Sequence, residues 1–257
     1  MRRRLEVTHR PGAAGATPLL LCCGLGAAAV AFDPFIRALD PRRPLITFNA
    51  PGLGSSPEPW APYTLGTLAW NVGREVTRLG YDRVDILGLS WGGALAQQFA
   101  FQNPLRCRHV VLVATHTGWM SVPPSVRTLR HMMTPQRHRD PVYAVQVAPE
   151  LYGGSARTDP DIALQVLHNT PTFPSVRSYL YQLGAITGWS SLPALPLLRQ
   201  RTLILAGDDD PLVPAANARI MARLLPNSTL HLYAGGHLAL ISDAAELAPV
   251  VEAFLDT

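Results

Sequence analysis

The chain has 257 residues, 47% of them hydrophobic and 16% charged, with a formal net charge of +4. That length and apolar content can bury one large core, and one domain with an insertion is expected. Every basic side chain other than histidine is arginine. The absence of lysine rules out a lysine-bearing P-loop and lysine Schiff-base chemistry, and with them P-loop phosphoryl transfer and aldimine enzymes.

The N-terminus imitates a secretory signal, with Arg2-Arg3-Arg4 followed by an apolar run from Leu19 to Phe32 that contains Ala29-Val30-Ala31. Cleavage there would remove a strand-like segment, and His9-Arg10-Pro11-Gly12 separates the charges from the run, so a cytoplasmic protein is expected. The remaining arginines are scattered singly or in pairs, which reads as a solvated surface, and no nucleic-acid partner is expected. No apolar segment is long enough to span a bilayer. Cys22, Cys23 and Cys107 offer no ready disulfide or metal pair, because neighbours on a strand point to opposite faces.

Strand-like runs are predicted at 5–8 (the weakest), 19–23, 45–48, 84–87, 110–114, 202–206 and 229–233. Helical patterns fall at 35–39, 68–79, 92–102, 215–225 and 246–255, two of them stopped near Pro104 and Pro226. This alternation predicts an α/β fold with a mostly parallel, doubly wound sheet. Between Thr115 and Pro196 it lapses. That stretch carries Trp119, Met120, Met132, Met133, Tyr143, Tyr152, Phe173, Tyr179, Tyr181 and Trp189 among many prolines. It is read as a helical cap (116–196) inserted between late strands of a core formed by 1–115 and 197–257. Most of these side chains are expected to form the cap's own core. A cap of this composition also implies an apolar pocket, suited to acyl chains more than to charged substrates.

The most informative segment is Val84-Asp85-Ile86-Leu87-Gly88-Leu89-Ser90-Trp91-Gly92-Gly93. An apolar run stops at a serine with glycines two before and two after it, and a small-residue helix pattern follows at once. This is the Gly-x-Ser-x-Gly elbow, which lifts a serine hydroxyl above the sheet. The chain order of such enzymes then requires an acid after a late strand and a histidine after the last one. Gly207-Asp208-Asp209-Asp210-Pro211 and Gly235-Gly236-His237 occupy those places. Ser90 is therefore the candidate nucleophile, His237 the general base and acid, and Asp210 the orienting carboxylate. Asp208 and Asp209 are read as turn or helix-capping residues. The oxyanion donors are expected to be the main-chain N–H groups of Trp91 and Leu25, with Gly26 as the fallback for the second. The histidines at 109, 116, 131, 138 and 168 lack metal-like spacing, only His116 lies where it could reach the site, and neither metal nor cofactor is expected.

Gly24-Leu25-Gly26-Ala27-Ala28-Ala29 also matches a dinucleotide-binding fingerprint. Asn49 stands after the next strand where that fingerprint needs a carboxylate, and a dehydrogenase would leave the elbow unexplained. A nucleotide-binding oxidoreductase and a catalytically silent binding protein remain the alternatives from other classes.

Gly88 through Ala100, with Gln97-Gln98, together with Leu151-Tyr152-Gly153-Gly154, Leu205 through Leu212 and Gly236-His237-Leu238, resembles the intracellular medium-chain-length poly(3-hydroxyalkanoate) depolymerases of the α/β-hydrolase superfamily. The resemblance covers nearly the whole chain from about Thr17, the cap included. It implies cofactor-free hydrolysis of ester links in stored polyester, at the surface of cytoplasmic granules, by Ser90, His237 and Asp210. Two departures stand out: a shorter N-terminal strand region, and Asn49-Ala50-Pro51-Gly52 where the family opens that loop with aspartate. Within the same fold, a small-molecule carboxylesterase or a carbon–carbon bond hydrolase is the alternative.

Overall fold

A strand that is apolar at every position can bury both of its faces, which calls for helices on each side of the sheet. In a computed structural model, which describes residues 4–168 and 175–257, the chain does this with seven strands: β1 (Val7–Arg10), β2 (Leu19–Cys22), β3 (Leu45–Phe48), β4 (Val84–Leu89), β5 (Cys107–Val113), β6 (Arg201–Gly207) and β7 (Ser228–Tyr233). Their spatial order is β1-β3-β2-β4-β5-β6-β7. All neighbours are parallel except β1, which pairs antiparallel with β3 at one edge.

Side-chain alternation sorts the core into two layers. Leu20, Cys22, Ile46, Ile86, Val110 and Ile204 face α2 (Leu65–Arg78), α3 (Trp91–Gln102) and α9 (Ala216–Leu224). Leu19, Leu21, Leu87, Val111, Val113 and Leu205 face α1 (Asp33–Ala38), α10 (Ala239–Ser242) and α11 (Ala244–Leu255). Helix α2 shows why such segments dock: Leu65, Leu68, Ala69, Val72 and Val76 make one buried stripe, and Thr64 caps the start by accepting the Thr67 N–H.

Between β5 and β6 lie α4 (Val126–Met132), α5 (Gln136–Arg139), α6 (Pro141–Tyr152), α7 (Ile162–Leu167) and α8 (Val176–Thr187). Among the described residues their buried apolar side chains form no separate core. Ala144, Val147, Leu151 and Val166 join one sheet layer, and Tyr179 and Ala185 join the other.

Several expectations shift. The first strand is Val7–Arg10, not 5–8, because an edge strand is fixed by its ladder to β3 and not by burial. The fifth begins at Cys107, three residues before the apolar run, because buried Asp85 on β4 accepts from Arg108 Nε at 2.9 Å and the His109 N–H at 3.1 Å. Of the side chains expected inside the cap, Trp119, Met120 and Met133 are exposed. Phe173, Arg2 and Arg3 lie outside the described residues.

Candidate active site

Ser90 sits where β4 ends and α3 begins, with φ 56° and ψ −120°. This is a strained conformation for a residue with a side chain. It is held from both sides: the Ser90 N–H donates to Val113 O at 2.9 Å, and the Ser90 carbonyl accepts from Thr115 Oγ1 at 2.6 Å. The turn closes only because position 92 is glycine. A Cβ there would lie 2.0 Å from the carbonyl oxygen of Cys22 on the neighbouring strand.

His237 follows β7 and Asp210 follows β6. Asp210 Oδ2 lies 2.8 Å from His237 Nδ1, and both side chains are almost fully buried. The other oxygen, Oδ1, accepts the N–H groups of Leu212 at 2.9 Å and Val213 at 2.8 Å. An ionised carboxylate only accepts, so Nδ1 carries the proton and Nε2 presents its lone pair, the tautomer a general base needs. The three adjacent aspartates are thereby distinguished. Asp208 accepts the Gly235 N–H at 3.1 Å. Asp209 accepts the Gly154 N–H at 2.7 Å and pairs with Arg157, whose hydrogen bonds hold its carboxyl below the usual range. Neither caps a helix; both sit in the turn after β6, the other role expected of them, and of the three only Asp210 meets His237.

Ser90, His237, Gly24 and Leu25 line one cavity, whose other walls include Phe32, Met132, Tyr152, Leu167 and Ile241. A Cβ built on Gly24 would be 3.6 Å from that of Ser90, so the loop after β2 passes beside the serine. Trp91 opens α3, and the N–H of a first helical residue has no partner within its helix. The fallback donor is committed elsewhere: the Gly26 N–H donates to Gln182 Oε1 at 3.0 Å. Gln182, on α8, also accepts the Trp91 indole N–H on its main-chain carbonyl at 2.9 Å.

His116 does not line the cavity. Its Nδ1 accepts the Gly118 N–H at 3.0 Å, and burial pushes its pKa down to about 4. Asn49 bridges two loops by accepting the Ala29 N–H at 2.7 Å and donating to Glu6 Oε2 at 2.7 Å. Two site residues carried no signal in the sequence. Gln182 lies in an unremarkable amphipathic pattern. Arg137, in the polar string Gln136-Arg137-His138-Arg139, reads as surface, yet it is buried and lines the cavity.

A family model described as alpha/beta hydrolase fold matches residues 17–149 and 174–244. The chain belongs to the α/β-hydrolase family. This hydrolase is 43% identical over 251 residues to the poly(3-hydroxyalkanoate) depolymerase of Ectopseudomonas oleovorans, covering 98% of this chain and 88% of that one. It is 27% identical to the putative carbamate hydrolase RutD of Caulobacter vibrioides, over 96% of this chain and 93% of that one. Among solved structures, the enol-lactonase of Burkholderia xenovorans superposes with a TM-score of 0.81 at 20% identity, covering 98% of this chain and 97% of that one. At that identity the likeness speaks for the fold alone. The protein is thus an enzyme, a hydrolase with ester-cleaving members of the family among its relatives.

Proposed function

We propose that this enzyme is a serine ester hydrolase that cleaves medium-chain poly(3-hydroxyalkanoate), with Ser90, His237 and Asp210 as its triad and residues 116–196 as its cap. The observation that carries the reading is a serine at a strained elbow sharing an apolar cavity with a histidine whose Nδ1 is held by a buried aspartate. In this account Ser90 Oγ attacks the ester carbonyl as His237 Nε2 takes its proton. The oxyanion draws on the N–H groups of Leu25 and Trp91. Collapse expels the alcohol, protonated by His237, and leaves an acyl group on Ser90. Water, activated by the same imidazole, then releases the acid.

The substrate class rests on the 43% identity to the depolymerase and on the apolar cavity walls. Each methylene moved from water into such a cavity is worth about 0.8 kcal/mol, and with incomplete burial C8 esters should exceed C2 esters by about a hundredfold in kcat/KM. The enzyme works in the cytoplasm at granule surfaces in this reading. Exposed Trp119, Val126 and Met133 give the cap apolar side chains for that contact, and among the described residues no helix is long and apolar enough to cross a membrane.

The test is release of 3-hydroxyacids from granules bearing pentyl or heptyl side chains and from methyl-substituted polymer, at equal enzyme. Preferential release from the former is expected. Equal release, or ester turnover without polymer cleavage, would leave a small-molecule esterase.

A further inference from the structure

The cavity shared by Ser90 and His237 is lined almost wholly by apolar groups, and Arg137 is the exception. Its side chain is only 2% exposed. A guanidinium keeps its charge at any physiological pH and offers five N–H donors. Here Nη1 donates to the Tyr179 hydroxyl at 2.8 Å and the His131 carbonyl at 3.3 Å, and the group lies 5.5 Å from the Tyr179 ring centre. The Tyr152 side chain also hydrogen-bonds the guanidinium, and all of these partners are neutral. The buried Nε has no acceptor at all.

Two half-buried arginines pair with acids, Arg43 with Glu252 and Arg108 with Asp85, and two others, Arg10 and Arg106, donate to main-chain carbonyls near the surface; Arg137 is the fully buried one. Among the described residues no carboxylate pairs with Arg137, and residues 169–174 contain no acidic side chain. Its neighbour His138 is also buried, and its Nε2 likewise lacks a partner. A buried charge without a counter-charge is costly, so a fold that keeps one beside a reactive serine gains most if the substrate brings the missing anion.

We propose that Arg137 is the subsite for a substrate carboxylate, the free acid end of a 3-hydroxyalkanoate chain. The proposal rests on the polyester reading above. In an acid-terminated chain the last ester oxygen is borne by C3 of the terminal unit, whose C1 is the carboxylate. Attack by Ser90 transfers the upstream acyl group to the serine. The bond from the carbonyl carbon to that oxygen breaks, the oxygen takes the proton from His237, and the terminal unit leaves as a 3-hydroxyacid anion. A guanidinium in the same cavity can hold that carboxylate by its charge and by the unpartnered Nε–H. The enzyme then shortens chains from the acid end, one unit at a time.

The experiment compares two trimers of 3-hydroxyoctanoate, one with a free carboxylate and one capped as its methyl ester. The wild-type enzyme should show a kcat/KM at least tenfold higher on the free acid, expressed chiefly in KM, with monomer as the first product. Arg137→Met should bring the ratio of the two trimers close to one, and Arg137→Lys should restore part of it. Equal rates of the wild type on both trimers, or an unchanged ratio in Arg137→Met, overturns the proposal. The wild-type comparison decides even if the variants do not fold. If neither trimer is cleaved while p-nitrophenyl butyrate is, the polyester reading fails by itself. The subsite is then judged by inhibition of that ester's hydrolysis: tenfold tighter inhibition by octanoate than by octanamide upholds it, and equal inhibition overturns it.

Discussion

The main-chain N–H of His237 donates to the carbonyl oxygen of Tyr152 at 2.7 Å, and the two rings stack at an interplanar angle of 19° with centroids 6.2 Å apart. Tyr152 ends α6, in the segment between β5 and β6, so that segment holds the main chain and one ring face of His237 while Asp210 holds its Nδ1.

The contact depends on Gly236. A Cβ at that position would lie 2.2 Å from the Tyr152 carbonyl oxygen. Gly236→Ala should therefore push Tyr152 and His237 apart. Overpacking of this kind costs about 1–3 kcal/mol, and a displaced base costs roughly a hundredfold in rate. Urea unfolding and kcat on p-nitrophenyl octanoate, corrected for folded fraction, are the measurements. A variant with wild-type values of both would show that the contact does not position His237.

Gln182 should act on the oxyanion side. Its side chain holds the Gly26 N–H beside Leu25, and its main-chain carbonyl holds the Trp91 indole. Gln182→Leu removes only the first of these. Loss of an oxyanion donor typically costs 100- to 1,000-fold, so loosening one should lower kcat about tenfold to a hundredfold with KM nearly unchanged. A rise in KM at constant kcat would mean that Gln182 shapes the binding cavity and does not support the donors.

The sheet and the three catalytic candidates were legible because each is written locally. Residues 19–22 and 110–114 are apolar on both faces, the glycines around Ser90 mark the elbow, and the spacing from Gly207 picks out Asp210. Arg137 and Gln182 were not, because their roles come from long-range contacts of α5 and α8 with the cavity and with the loop after β2, which no local pattern encodes. The cavity walls are mainly apolar, as expected, but the charge of Arg137 among them was missed for the same reason: it sits in a string that reads as solvated surface.

The three aspartates should separate by function. Asp210→Asn removes the acceptor that fixes the His237 tautomer, and turnover should fall about ten-thousandfold. Asp209→Asn weakens a half-exposed pair with Arg157 and the tie to Gly154, at a cost of about 1 kcal/mol or less in stability and little in rate. Turnover of p-nitrophenyl octanoate by the two variants at matched folded fraction distinguishes them, and the reverse order would move the acid to Asp209.

Acid should destabilise the fold through His116. Burial lowers its pKa from an ordinary 6.5 to about 4. Below about pH 6.5 the unfolded chain binds a proton that the folded chain refuses until about pH 4, so its contribution is present above that window and lost as pH falls through it. The slope from this group approaches about 1.4 kcal/mol per pH unit. His138, also held neutral by burial and by the neighbouring Arg137 charge, adds in the same direction. His116→Asn keeps an acceptor for the Gly118 N–H and does not titrate. Urea unfolding between pH 7 and 4.5 should show a shallower decline for this variant, and an identical decline would remove His116 from the account.

The central claim is that Ser90 is the activated nucleophile, and covalent labelling with a fluorophosphonate followed by peptide mapping addresses it most directly. The account predicts one equivalent of phosphonate on Ser90, no labelling of Ser90→Ala, and loss of nearly all p-nitrophenyl octanoate turnover in that variant. Phosphonate on a different residue, or wild-type turnover by folded Ser90→Ala, would contradict it.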